Sequence, residues 1–196
     1  MNAAAGSSSQ FREDIDLAGH LAVRARVFFD IWWVYEGAPT RGKYLPTMNR
    51  FSEFYRFEPH AHFVAMVMYL SQLLEKRRDT LNLPALVERA SSAGVPASTI
   101  GRAQVTLDAS KPLASKVMVL RSNLFAHRSA NLSYAKVFEL ADVTPDQLRE
   151  VSDTSLKLVN LLGEAVGVGE KIVHTISPAH AEAVLKALAG SDHVAT

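Results

Sequence analysis

Apolar residues recur at helical spacing along nearly the whole chain, and the alternating runs that mark strands are scarce. That pattern confines the chain to helix packed on helix. The expected architecture is all-α, an up-and-down helical bundle with short accessory helices. Helix one is expected from about Asp14 to Tyr35, with Leu17, Leu21, Phe28, Ile31 and Trp32 along one side and Gly37-Ala38-Pro39 as its stop. A polar, aromatic-bearing connection is expected from Thr40 to Glu58. Helix two then starts near Pro59, a residue suited to a first helical position, and carries Phe63, Met66, Val67, Leu70, Leu73 and Leu74. It ends in the charged run Glu75-Lys76-Arg77-Arg78-Asp79.

A short helix is expected over Leu83 to Ser92, closed by Gly94. The third long helix starts near Ser98, is interrupted around Asp108 to Pro112, and resumes through Val117 to about Phe125. Ser133 to Leu140 reads as a short helical segment. Thr144-Pro145-Asp146-Gln147 is a strong helix start, with Thr as N-cap, Pro first and Gln third. The helix behind it buries Leu148, Val151, Leu158 and Leu162, and a last helix runs from Ser177-Pro178 through Leu188 to Gly190. No internal repeat is present. The chain of 196 residues is 48% hydrophobic, enough for one buried core. Residues 1–10 read as a disordered tail, 11–190 as a single helical domain and 191–196 as a C-terminal tail.

Several function classes fall away on composition. With no cysteine, disulfides, thiolate metal sites and cysteine nucleophiles are excluded together. No run of about 18 apolar residues spans a membrane. The first ten residues lack the basic and apolar regions of a signal peptide, so a cytoplasmic location and no membrane partner are the expectation. Gly163, Gly167 and Gly169 do not open a helix after a strand and make no dinucleotide loop. His60-Ala61-His62 resembles half a metal site without a third ligand at useful spacing. No metal and no other cofactor is expected. Trp32, Trp33 and Tyr35 could stack bases, but on a core helix they read as packing.

Charge is uneven although the net charge is only +1. From Glu75 to Arg128 there are nine Lys/Arg against four Asp/Glu, whereas Glu139 to Glu170 holds two against seven. The basic segment contains Leu120-Arg121-Ser122-Asn123-Leu124-Phe125-Ala126-His127-Arg128 at the end of the third long helix. Arginine holds phosphate and histidine moves protons near neutral pH, so Arg121 and His127 are minimal equipment for cutting RNA without a metal. At 100° per residue Arg121 lies roughly 40° past Val117 and His127 roughly 80° before it, at opposite edges of the stripe Leu113, Val117, Leu120, Leu124. They converge only if the helix loosens near Ala126 or if two copies meet across a two-fold axis. Asn123, one turn before His127, could orient the imidazole. The same spacing recurs at Arg56 and His62, astride Pro59, and a histidine near a helix end often caps carbonyls.

The run from Leu120 to Arg128 resembles the signature of the HEPN superfamily (higher eukaryotes and prokaryotes nucleotide-binding), in which an Arg is followed four to six residues later by His. It is closest to the abortive-infection, AbiU-like branch. Met68 to Asp79 is similar to that branch's second helix with its charged end, and Asp142 to Leu148 also fits, so the resemblance spans roughly Leu17 to Val166. It implies an all-helical bundle that dimerises through its motif helices and acts as a metal-independent endoribonuclease at the shared cleft, with RNA as substrate and an antitoxin protein as a candidate partner. Carried over to this chain, Arg121 and His127 are the catalytic candidates, with Ser122, Asn123 and Arg128 in support. The position after the Arg is often Asn, Asp or His in the family and is Ser122 here. Either Asn123 takes the polar role or activity is weakened. The alternative reading is a catalytically inactive HEPN-like bundle that binds RNA, nucleotide or a protein partner.

Overall fold

Four long helices, α1 (Asn2–Glu36), α3 (Ser52–Leu74), α5 (Ala97–Ala126) and α7 (Pro145–Val166), form the frame in a computed structural model of the chain. The structure describes the backbone of residues 2–77, 79–126 and 134–191, and the side chains of 8–77, 79–124 and 136–191. Between the long helices lie α2 (Ala38–Arg50), α4 (Leu83–Arg89) and α6 (Tyr134–Ala141), and α8 (Ile176–Gly190) closes the chain. Among the described residues there is no strand.

Each long helix packs on two others, in the cyclic order α1, α3, α5, α7. Neighbours run antiparallel. Tyr35 meets Tyr55 while Phe28 meets Tyr69, and Phe29 lies by Arg149 while Gly163 lies by Ile15. The up-and-down bundle expected from helical periodicity is therefore the fold. Its core joins Phe63, Leu70, Leu120, Leu148, Leu158 and Leu162, all fully buried. A second, smaller core sits where α2 and α8 pack on the end of α1, and holds Tyr35, Tyr44, Met48, Tyr55 and Leu185.

The buried stripe of α1 differs from the expected one. Leu21 and Trp32 are buried as expected, but Leu17 is 51% exposed, and the inward face is centred on Phe11, Ile15, Ala18, Ala22, Ala25, Phe29 and Trp32. Steps of three and four along this list follow a single helix face. Alanines occupy its middle because α3 and α7 both press on α1 there. Weight given to large apolar side chains misses such a stripe. α1 also begins at Asn2, not near Asp14, and takes in the stretch read as a tail. Ala3, Ala4 and Ala5 favour helix strongly, and Phe11 docks into the core behind them.

Proline misleads in three places. The expected connection from Thr40 to Glu58 is instead α2 and the first turns of α3, with Pro46 and Pro59 inside helices. Pro59 removes the N–H that Tyr55 carbonyl would accept, at a cost of about 3 kcal/mol in an isolated helix. Packing offsets it: Pro59 is itself buried, and Tyr55 anchors the turn before it in the second core. Likewise α5 runs unbroken through Pro112, held on either side by buried Leu107 and Val117.

The start of α7 is as its sequence announces. Thr144 Oγ1 accepts from Gln147 N–H at 3.3 Å, and Gln147 Oε1 accepts from Thr144 N–H at 3.2 Å, a complete capping box. Its end is Gly167 at φ 74°, where Val168 N–H reaches the Gly163 carbonyl at 2.9 Å. The end of α6 uses the same motif with Asp142 at φ 48°, Val143 N–H bonding the Phe138 carbonyl at 3.3 Å. Lys116 of α5 clamps this turn, donating to the Asp142 carboxylate at 2.9 Å and to Gln147 Oε1 at 3.4 Å. The clamp fixes the second half of α5 against the start of α7.

Candidate functional site

Buried Val117 and Leu120 set the rotation of α5, and that rotation decides where Arg121 goes. It emerges at the edge facing α3. There its Nη1 stands 3.6 Å from a carboxylate oxygen of Glu75. The Glu75 side chain is 14% exposed and that of Arg121 is 42% exposed. Glu75 follows the last residue of α3, with extended backbone and its N–H on the Ser71 carbonyl at 2.9 Å. A single long contact leaves most of the guanidinium's donors directed elsewhere.

Arg121 borders two adjoining hollows. One, of about 460 Å³, is lined by Ala65, Met68, Tyr69, Ser71, Gln72 and Glu75 together with Arg121. The other, of about 410 Å³, lies between Met68, Met118, Arg121 and Ser122. Ser122 is exposed beside Arg121, and Asn123 is half-buried on another side of α5. His127 and Arg128 lie outside the described residues, as does Arg78 of the charged run. The backbone of α5 is helical up to Ala126.

The residues bring a fixed guanidinium, a polar hydroxyl and a methionine-lined floor to one interhelical groove. A phosphate could take the free donors of Arg121 in the bidentate manner that guanidinium allows. Glu75 opposes that charge and also holds the guanidinium beside the hollow that both residues line. Sequence reasoning did not pair Glu75 with Arg121. Forty-odd residues separate them, and locally Glu75 is one charge in a charged helix end. Only the antiparallel packing of α3 on α5 brings the two together.

The competing match is placed differently from its expected junction. Arg56 and His62 both lie within α3. His62 is 14% exposed, with Nδ1 2.9 Å from the Glu58 carbonyl oxygen and its ring against Phe28 and Tyr35. These contacts satisfy it as a packed histidine. Trp32 is buried against Phe63 at 5.3 Å and Phe138 at 5.9 Å, and Tyr35 is buried too, so these rings pack the core. Burial, with the Glu58 carboxylate nearby, pushes the Tyr35 phenol up to about 12. Arg77 grips Asp79 with two hydrogen bonds, of 3.0 and 2.6 Å, and this holds the Asp79 carboxyl below its usual range. Among the described residues no three His, Asp or Glu gather as a metal site, and no helix is long and apolar enough to cross a membrane.

An all-helical up-and-down bundle with an arginine at the lip of an interhelical groove defines the class: a HEPN-like domain. The AbiU2 family of HEPN domains matches residues 9–186, and the chain belongs to that family. No curated protein matches the chain, and no solved structure does.

Proposed function

We propose that the chain is a metal-independent endoribonuclease acting in the cytoplasm as a toxin or anti-phage effector of the abortive-infection kind, cutting RNA at a cleft formed by two copies. The observation that carries this reading is Arg121. It is the arginine of the family-like motif, and it opens onto a groove with its side chain 42% exposed rather than closed in a core ion pair.

In this reading the attacking group is the RNA's own 2′-hydroxyl, so DNA is spared. The 2′-oxygen bonds to the adjacent phosphorus and the 5′-oxygen leaves, giving a 2′,3′-cyclic phosphate. His127 accepts the 2′ proton or delivers one to the leaving oxygen. Arg121 holds the phosphate and stabilises the charge that builds on it, and Ser122, Asn123 and Arg128 support the site. With one His in each copy, a two-fold cleft supplies both an acid and a base. An antitoxin protein would act by covering that cleft.

The test is to incubate the purified protein with single-stranded RNA in chelator, beside His127→Ala and Arg121→Ala. Chelator-resistant cleavage leaving cyclic phosphate ends, lost in both variants, is the expected result. RNA binding without cleavage in the wild type would select the catalytically inactive alternative, which Ser122 after the arginine keeps in play.

A further inference from the structure

Phe54 and Phe57, on the first turns of α3, are 56% and 61% exposed, an unusual placement for two phenylalanines one helical turn apart. Arg56 lies with its guanidinium carbon 5.6 Å from the Phe57 ring centre. No ion pair engages Arg56 among the described residues. Phe54 is braced edge-on by buried Tyr55, with ring centres 5.0 Å apart. Glu58 is turned back towards His62, at 3.6 Å.

The two rings share a helix face with the Arg121 groove. At 100° per residue Phe54, Phe57, Ala61, Ala65, Met68 and Gln72 fall within an arc of about 80°. Ala65, Met68 and Gln72 already line the hollow beside Arg121. A lane therefore runs down the outside of α3 from the aromatic pair to the candidate phosphate site, with small alanines as its middle. At about 1.5 Å per residue, Phe57 and Met68 stand roughly 16 Å apart along the helix, a span of a few extended nucleotides.

We infer that Phe54 and Phe57 are a base-stacking subsite for single-stranded RNA, which anchors the strand a few nucleotides from the phosphate held by Arg121. This rests on the ribonuclease reading above. Every base has a π-face, so exposed rings hold a strand without reading its sequence, and an adjacent unpaired arginine takes the backbone phosphate. Paired bases in a duplex keep their faces covered, so the subsite selects unpaired RNA. The continuity of the face with the Arg121 groove favours RNA over a protein partner.

The experiment measures binding of non-cleavable 2′-O-methyl oligouridylates to the intact protein by fluorescence anisotropy. Strands of about three and about ten nucleotides are compared, and so is cleavage of unmodified RNA of the same lengths. Phe54→Ala/Phe57→Ala is expected to weaken the long strand by roughly tenfold or more and to leave the short one unchanged. Its loss of cleavage should fall in KM, with kcat retained, and its melting temperature should match the wild type because both rings are exposed. In Phe57→Trp the indole emission should be quenched by the long strand. Equal binding of long strands by the wild type and the double alanine variant overturns the inference. So does a double variant that falls from dimer to monomer while Phe57→Trp shows no quenching, since the rings are then an interface between copies. Absence of RNA binding even in the wild type, with Arg121→Ala no different from it, has another signature: there the ribonuclease reading itself fails and takes the subsite with it.

Discussion

Arg121 of α5 faces Glu75 at the end of α3 across 3.6 Å, and the carboxylate is the more buried of the two. The pair holds the guanidinium in the groove and opposes its charge at once. In the proposed enzyme a phosphate must share the arginine with Glu75. Glu75→Gln keeps the shape and removes the competitor. RNA affinity should rise severalfold, with KM falling more than kcat changes, and Arg121→Ala should abolish cleavage in either background. Steady-state kinetics on one RNA decide it. Weaker RNA binding by Glu75→Gln would mean that the carboxylate's orienting role outweighs its opposition.

The face of α1 that meets the core is set by alanines. Ala22→Leu forces added volume between α1 and its neighbours and should destabilise by about 1–3 kcal/mol. Leu17→Ala truncates a side chain that is 51% exposed and should stay within about 0.5 kcal/mol of the wild type. Urea unfolding midpoints compare the two directly. The reverse ranking would restore the stripe expected from large residues alone.

That contrast shows which parts of the fold are legible in sequence. The core of α3 is read correctly because Phe63, Met66, Leu70 and Leu73 are large as well as periodic. The start of α7 is read correctly because a capping box is local chemistry, complete within four residues. What escapes is whatever tertiary contact decides. Pro59 reads as a helix start until Tyr55 is seen anchored against Tyr35, with ring centres 5.7 Å apart. The position of Arg121 at the stripe's edge follows from helical angles, but its partner Glu75 does not, because no local pattern links two charges on different helices.

Capping at Thr144 carries more than one helix. Thr144→Ala removes the bond to Gln147 N–H and should cost about 1 kcal/mol. The backbone N–H of Thr144 survives that change, and Gln147 Oε1, which accepts from it, also accepts from Lys116 of α5. A Thr144→Ala and Lys116→Met double-mutant cycle whose losses do not add, by about 0.5 kcal/mol or more, would show that cap and clamp act as one unit. Additive losses would separate them.

Tyr35 supplies an alkaline signature. Its phenol is raised from 10.0 to about 12, chiefly by burial. A raised folded pKa means stability is fully present below pH 10 and drains away as pH climbs towards 12, because the unfolded chain ionises first. Tyr35→Phe should flatten that part of the stability curve. Phenolate absorbance of the folded wild type should show a late ionisation that Tyr35→Phe reduces, with Tyr55 also held above its ordinary value by burial. A curve unchanged by Tyr35→Phe would place the alkaline loss elsewhere.

Gly19 is where α1 admits the side chain of Lys171. A Cβ at position 19 would lie 2.6 Å from Lys171 Cγ, too close for both to stay. Lys171 is pinned at its other end, since Asn160 accepts from its backbone N–H and donates to its carbonyl, each at 2.9 Å. Gly19→Ala must therefore push the lysine side chain off Asp16, whose carboxyl Lys171 holds below its usual range by hydrogen bonding. A depressed carboxyl contributes stability above its unfolded pKa of about 4 and surrenders it as pH falls through the folded value. The wild type should thus lose stability below pH 4 more steeply than Gly19→Ala, while the variant is the less stable of the two at neutral pH. Gly19→Ala improves local helix propensity, which works against the clash. The decisive quantity is the acid slope. If both proteins lose stability in parallel below pH 4, Lys171 has kept its hold on Asp16, and the bundle has yielded in some other way.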